Sequence, residues 1–262
     1  MDNIVIRECA TINELDSCTL LQREVFGLPD LEISPRRHLI VSRQAGGWTL
    51  GAFVPEDGGE RLVGFVYHLA AIKGNEIFGY SHMMAVAHDY QNKGVGARLK
   101  WSQRKRAIEE GRSFIKWTWD PMQARNAHFN LNRLGVTVTS YAENFYGTDY
   151  GSSPAVNEAG TPAPGIDSDR LFANWQLQGR RVIDLARGLT VGVIANPDAE
   201  IQIPADWSKL TKEDPAAAKQ EQLRVRGEFQ SAFAERLVCA GFERLAERPR
   251  YLLYKGQTLQ SF

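Results

Sequence analysis

Net charge is the first thing this sequence lacks: 31 Lys and Arg offset 31 Asp and Glu over 262 residues. A chain without surplus positive charge has little sequence-independent grip on nucleic acid or on an anionic membrane, so neither is expected as a partner. Cysteine is scarce as well. Cys9, Cys18 and Cys239 cannot all pair, and none falls in a Cys-x-x-Cys or similar metal spacing. Inert thiols in a reducing, cytoplasmic setting are the expectation, with no metal. No apolar run approaches the ~18 residues of a membrane span. The start, MDNIVIREC, lacks the basic-then-apolar order of a signal peptide. What is present, 43% hydrophobic and 24% charged residues, suits a soluble globular protein of one large or two small domains.

The first half alternates strand and helix signals. Ile4 to Ile6 is β-rich, and Thr11-Ile12-Asn13-Glu14 has the form of a capping box for a helix reaching Gly27, with apolar Leu15, Leu20, Leu21 and Val25. A proline-containing stretch from Pro29 to Pro35 precedes three strand-like segments, Trp48 to Val54, Leu62 to Ile72 and Ile77 to Val86. Asp57-Gly58-Gly59 and Lys73-Gly74-Asn75 between them read as hairpin turns, which makes these strands antiparallel neighbours. Gly94 to Gly111 is helical, Ser113 to Trp119 a strand, Met122 to Leu134 a helix closed by Gly135, and Val136 to Tyr141 a strand. From Tyr146 to Asp169 the chain is rich in Gly, Ser, Pro and Ala, a long loop that reads as a linker or a functional lid. Strands over Leu171 to Leu177, Glu200 to Ile203 and Tyr251 to Tyr254 follow, with a helix from Pro215 to Cys239 carrying Val225, Phe229, Phe233 and Leu237 as a core stripe. The pattern predicts an α/β protein with a mixed α+β sheet, divided at 1–147, 148–169 and 170–262. The last part reads as an added α/β layer that covers one side of a site or builds a homo-oligomer interface.

The most informative stretch runs from Tyr80 to Arg106: an apolar strand, a turn carrying Gln91-Asn92-Lys93-Gly94-Val95-Gly96, and a basic helix. Glycines let a backbone adopt positive φ and bring N–H groups close to a ligand. At a helix start those groups and the macrodipole favour an anion. Eight basic residues (Lys93, Arg98, Lys100, Arg104, Lys105, Arg106, Arg112, Lys116) stand here against Glu109 and Glu110, the one concentrated positive region. The bland alternative is a tight turn beside a solvated helix face. A dinucleotide fingerprint fails because Leu99 stands where a third glycine belongs, and an NTP-binding loop fails because no Gly-Lys-Ser/Thr follows.

Gln91, Gly94 and Gly96 match Gln/Arg-x-x-Gly-x-Gly/Ala, and with the strand ending Met84-Ala85-Val86 and the element order, residues 3–145 resemble the GCN5-related N-acetyltransferase (GNAT) superfamily. The resemblance implies an acyl-coenzyme A acyltransferase fold with acetyl-CoA or another acyl-CoA as cosubstrate and a small amine as acceptor. Backbone N–H groups of Asn92, Lys93, Gly94, Val95, Gly96 and Ala97 would hold the pyrophosphate, with Lys93 and Arg98 as nearby cations. Met84, Ala85 and Val86 would pair with the pantetheine arm in a wedge opening toward the strand after Ser113, and an N–H near Met84 or Ala85 would polarise the thioester carbonyl.

The catalytic residues are less well matched. The family's usual tyrosine, four residues before the glycine closing the fourth helix, falls on Leu131. Asn126 is out of register with the asparagine that often starts that helix, and His88 stands where a proline is common; His128, Asn130 and Asn132 are the polar neighbours available. As base, His82 is expected on the face of Met84, and Asp120 at the exit of the following strand. A satisfied, half-buried histidine and a helix cap are the structural alternatives for these two. Trp117 and Trp119 could wall a pocket or fill the core, and the pair Asp169-Arg170 could meet a substrate carboxylate or form salt bridges. Two further functions stay open: a non-catalytic coenzyme A-binding module, and a succinyl-type acyltransferase acting on amino acids.

Overall fold

The computed structural model describes residues 3–28, 30–148, 165–192 and 195–256. These fall into two compact units, Met1–Trp117 and Thr118–Phe262. The first contains β1 (Val5–Glu8), α1 (Ile12–Phe26), α2 (Arg36–Gln44), β2 (Trp48–Glu56), β3 (Gly59–Lys73), β4 (Glu76–Val86), α3 (Val95–Glu109) and most of β5 (Phe114–Trp119), within which the unit ends at Trp117. The capping box forms as the sequence predicts: Thr11 Oγ1 accepts from the Glu14 N–H at 3.3 Å, and Glu14 Oε2 accepts from the Thr11 N–H at 3.0 Å. Gly27, at φ 60°, ends the helix in the left-handed conformation. The two hairpins also form, with Glu56 facing Gly59 and Lys73 facing Glu76. Strands β1 to β4 are antiparallel neighbours in chain order, and β5 joins β4 in parallel.

Period-two alternation sends the side chains of this sheet to two different cores. Phe53, Phe65, Tyr67 and Ala85 pack under α1 and α2 with Leu15, Cys18, Leu21 and Leu39. Leu50, Ala52, Val54 and Val66 pack on the other face against Val95 and Leu99 of α3. Leu20, read from the sequence as one of the apolar set of α1, is instead 61% exposed. The core-facing stripe of a short helix is narrow, and the adjacent Leu21 takes the inward direction. The sequence did not indicate α2, whose Arg36-Arg37-His38 start has no apolar period. The thiols of Cys9 and Cys18 lie 3.8 Å apart in the first core, and all three cysteines are buried and free.

The second unit contains α4 (Ala124–His128), which runs on as a π-helical turn over Phe129–Arg133, then β6 (Thr137–Ala142), β7 (Arg170–Gln176), α5 (Arg180–Ala186), β8 (Ala199–Gln202), α6 (Trp207–Glu213), α7 (Pro215–Ala234), β9 (Leu237–Glu243) and β10 (Arg250–Lys255). Its strands lie in the order β7-β6-β9-β10-β8, all antiparallel. The helix expected to reach Cys239 stops at Ala234. Arg236 takes φ 61°, which no helix interior tolerates, and Leu237 opens β9 instead of continuing the stripe. Residues 149–164 of the expected loop and lid lie outside the described residues. The flanks are pinned together: Thr148 bridges Asp167, and the Asn144 N–H donates to Asp169 Oδ1 at 2.9 Å. Among the described residues no helix is long and apolar enough to cross a membrane, and no group of three or more His, Cys, Asp or Glu side chains could hold a metal ion.

The burial contrast on α1 is measurable. Leu21→Ala should lower the unfolding free energy by about 2–5 kcal/mol, whereas Leu20→Ala should change it by no more than about 0.5 kcal/mol, both by urea denaturation.

Candidate functional site

The site begins where a ladder stops. β4 and β5 pair only at Gly79 with Ile115 and Tyr80 with Lys116, while β4 continues to Val86. Beyond those rungs the two strands part, and among the described residues no strand pairs with the β5-facing edge of Ser81 to Val86. On its other edge β4 stays paired with β3, with one irregularity: Tyr67 faces Met83 and His68 faces Ser81. His82 is therefore the extra residue of a β-bulge. Such a residue leaves the ladder and breaks the period-two alternation. Its ring meets His38 and Tyr67 edge-on, on the α1/α2 side with Met83, whereas Met84 packs on the α3 side. The expectation that His82 shares a face with Met84 is thereby corrected, and the bulge is the reason.

After β4 the chain turns through a 3-10 turn, His88–Tyr90, into the helix start. The Gln91 side chain donates to the Val86 carbonyl at 3.0 Å, tying the turn to the end of the strand. Asn92 (φ 59°) and Gly94 (φ 81°) are both left-handed. Gly94 is the N-cap residue and supplies no side-chain cap, and the first bond into the helix is Arg98 N–H to the Gly94 carbonyl at 3.1 Å. The N–H groups of Val95, Gly96 and Ala97 precede that bond, as at any helix start. Gly96 faces the Met84 methyl, which an added Cβ would meet at 3.4 Å. Turn and strand thus form one surface within the first unit.

The positive region is smaller than the sequence suggested, because folding brings acids from distant segments to it. Arg106 pairs with Glu8 and Glu110, Arg112 with Glu110, Lys116 with Glu76 and Lys105 with Glu109. Lys93 and Arg98 have no carboxylate within salt-bridge range among the described residues. Arg98 donates to the Ile4 carbonyl at 2.6 Å, and Lys93 stands 5.6 Å from the Tyr90 ring.

Lys100 is different again. In the sequence it is one basic charge among eight, yet it is 3% exposed. Its Nζ donates to Ser81 Oγ at 2.8 Å and to Gln103 Oε1 at 3.1 Å, and lies 3.8 Å from the Trp117 ring centroid. Burial pushes its pKa down to about 7. Gln103 in turn bonds His68 Nδ1 at 3.3 Å, and the His68 ring stacks on Trp48 at 4.0 Å. Burial, then Arg112, Lys100 and Arg106, hold the His68 pKa down to about 3, so this ring is neutral. Gly79 makes room for it, since an added Cβ there would meet His68 Cε1 at 2.2 Å. The missed signal was spacing: Lys100 and Gln103 fall on the buried face that Leu99 and Ala107 define.

The other candidates are distributed as follows. His82 Nε2 shares a hydrogen bond with Ser34 Oγ at 3.3 Å, and burial followed by His38 lowers its pKa. In the second unit Asp120 accepts from the Met122 N–H at 2.9 Å and from Gln123 Nε2 at 3.2 Å, which closes the turn before α4. Burial raises its carboxyl pKa against those bonds and against Arg170. His128 is half-buried with no hydrogen-bond partner for its Nδ1 among the described residues, and burial, Arg244 and Arg133 lower its pKa. Leu131 is fully buried, and its carbonyl accepts from Arg181 at 3.2 Å. Trp117 and Trp119 are both buried, and Trp119 Nε1 donates to Tyr251 Oη at 3.4 Å. Asp169 pairs with Arg226 at 2.9 Å rather than with Arg170, whose guanidinium lies 5.0 Å from the Tyr146 ring.

No protein-family model matches this sequence. No curated protein matches it either. Solved structures do. A candidate acetyltransferase of the GNAT family from Desulfovibrio desulfuricans is 14% identical, with a TM-score of 0.51 over 66% of this chain and 99% of its own. A candidate acetyltransferase from Acinetobacter baylyi is 16% identical, with a TM-score of 0.50 over 68% of this chain and 93% of its own. A third, from Salmonella typhimurium and solved with its cofactor acetyl-CoA, is 16% identical, with a TM-score of 0.50 over 68% and 96%. The chain has the GNAT acyltransferase fold.

The buried lysine has a thermodynamic signature. The folded state lowers the Lys100 pKa to about 7 from an ordinary 10.5, so between those values the unfolded chain holds a proton that the native chain has released. Stability gained from this group therefore rises with pH across that window, by about 1.4 kcal/mol per pH unit, and is lost as pH falls toward 7. Unfolding curves of Lys100→Met against the parent from pH 6 to 10 should show that rise in the parent alone.

Proposed function

We propose that this protein is an acyl-coenzyme A-dependent N-acyltransferase that moves an acyl group to an amine. The observation that carries this reading is the parting of β4 from β5 after Tyr80, beside a helix start whose N–H groups have no side-chain cap. An amide-bearing arm such as pantetheine can replace the missing strand along Met84 to Val86, because the strand edge offers regularly spaced backbone donors and acceptors. A pyrophosphate suits the N–H groups from Asn92 to Ala97, with Lys93 and Arg98 supplying the charge that folding leaves unneutralised by acids. The likeness of fold to a protein solved with acetyl-CoA adds support.

In this reading the acceptor nitrogen attacks the thioester carbonyl, the carbon–sulfur bond breaks, and the nitrogen loses a proton as the thiolate gains one. A bulge frees a backbone N–H from the ladder, and near His82 and Met83 it can face the carbonyl oxygen as charge develops there. His82 is the proposed base, acting with Ser34. Its lowered pKa keeps the ring neutral at pH 7 and able to accept a proton. A second reading, a coenzyme A-binding module without turnover, is favoured by one observation: Leu131 is sealed in the core at the position where the resemblance calls for a tyrosine.

Two measurements test these roles. Gly94→Val forces a β-branched residue to φ 81° and should weaken acetyl-CoA binding about tenfold, at a strain cost of about 1–2 kcal/mol. Unchanged affinity by calorimetry would remove the turn from the site. Thiol release with a panel of amines should show an acidic limb of kcat/KM below pH 6.5 that vanishes in His82→Gln. Absence of turnover with every amine, in a protein that binds acyl-CoA, would select the binding module.

A further inference from the structure

We propose that Lys100 makes this protein selective for an acyl group that ends in a carboxylate, as in malonyl- or succinyl-coenzyme A. The inference rests on the acyl-coenzyme A reading above and names the class of donor for that site.

The argument is one of position and charge. Ser81 is the first residue of β4, and Trp117 the first of β5, after the last rung between the strands at Tyr80 and Lys116. Lys100 Nζ touches both, at 2.8 Å from Ser81 Oγ and 3.8 Å from the Trp117 ring centroid. The amine therefore sits at the apex of the gap, where a donor laid along β4 with its phosphates at the turn would direct its acyl end. An ammonium at 3% exposure is held only by neutral partners, Ser81, Gln103 and an aromatic face; no carboxylate lies within salt-bridge range among the described residues. Other groups around it offer no anion. His68, reached through Gln103, is neutral, and the charged groups that lower its pKa besides Lys100 are the cations Arg112 and Arg106. A buried cation without a counter-charge is costly, and neutral hydrogen bonds offset only part of that cost. A ligand carboxylate would supply the missing charge where the chain supplies none. An acetyl group would not.

The lowered pKa of Lys100 makes this distinguishable from a merely structural role. A carboxylate bound beside the amine favours its charged form, so at pH 8 binding should draw a proton from solution. The test is calorimetry of the full chain with coenzyme A, acetyl-CoA and succinyl-CoA at pH 8, in two buffers of different ionisation enthalpy. Succinyl-CoA is expected to bind at least about tenfold more tightly than acetyl-CoA with uptake close to one proton, acetyl-CoA with almost none. Lys100→Met, which replaces a buried charge by an apolar side chain of similar length, should keep the coenzyme A affinity and lose both the preference and the uptake. If that variant does not fold, the proton count of the parent decides alone. Equal affinity for the two donors with no difference in uptake overturns this inference and leaves the acyl-coenzyme A reading intact. No binding of coenzyme A in any form overturns both. An acyl mark on Lys100 after incubation, found by peptide mass spectrometry, also overturns it, because an amide nitrogen carries no charge.

Discussion

The early end of the β4–β5 ladder is the constraint from which the rest of the first unit follows. Two parallel rungs hold the strands at Gly79 and Tyr80, and then β4 runs on to Val86 with β3 alone beside it. A strand edge opened inside a sheet leaves backbone groups that need partners, so it must be occupied by a ligand or by water. The neighbouring features all bear on that edge. Gln91 ties the turn to Val86, Gly94 starts a helix at the end of the same strand, the bulge at His82 redirects side chains midway along it, and Lys100 stands at its apex.

Charge behaves in the same local way. The zero total did not mean an even distribution, nor did the basic run from Lys93 to Lys116 survive folding as a positive surface. Glu8 and Glu76, remote in sequence from that run, come to Arg106 and Lys116, while Lys100 leaves solvent altogether. What remains for a ligand is Lys93 and Arg98 near the turn and one buried amine at the apex. Pairs at intermediate exposure contribute little to stability one at a time. Their consequence here is to neutralise Arg106, Arg112 and Lys116, while Lys93 and Arg98 near the turn keep no carboxylate within salt-bridge range among the described residues.

Local signals were legible where the cause is local. The capping box at Thr11 and Glu14, the two-residue hairpin turns and the Gly94 helix start depend on residues within a few positions of each other, and all formed as read. The end of α7 is not legible in the sequence, because Val225, Phe229, Phe233 and Leu237 keep a four-residue spacing across a break at Arg236, whose positive φ no periodicity reveals. Leu20 and Leu21 both satisfy an apolar pattern, and only packing decides which is buried. In the candidate site, the strand and turn were readable from glycines and apolar runs. The face of His82 was not, since a bulge is set by how β3 and β4 register against each other.

The sequence by itself determined the order of the strands in the first unit and of the helices α1 and α3 among them, the hairpins, the glycine turn into a basic helix, and the resemblance that these carry. Each depends on backbone preference or on spacing along a single element. Only the tertiary structure decided where the β4–β5 ladder ends, that His82 leaves the face of Met84, which cations keep their charge exposed, and that Lys100 is enclosed without an acid. Those outcomes depend on residues brought together from opposite ends of the unit. Burial and pairing across such distances are properties of the packed core, and no window of the chain contains them.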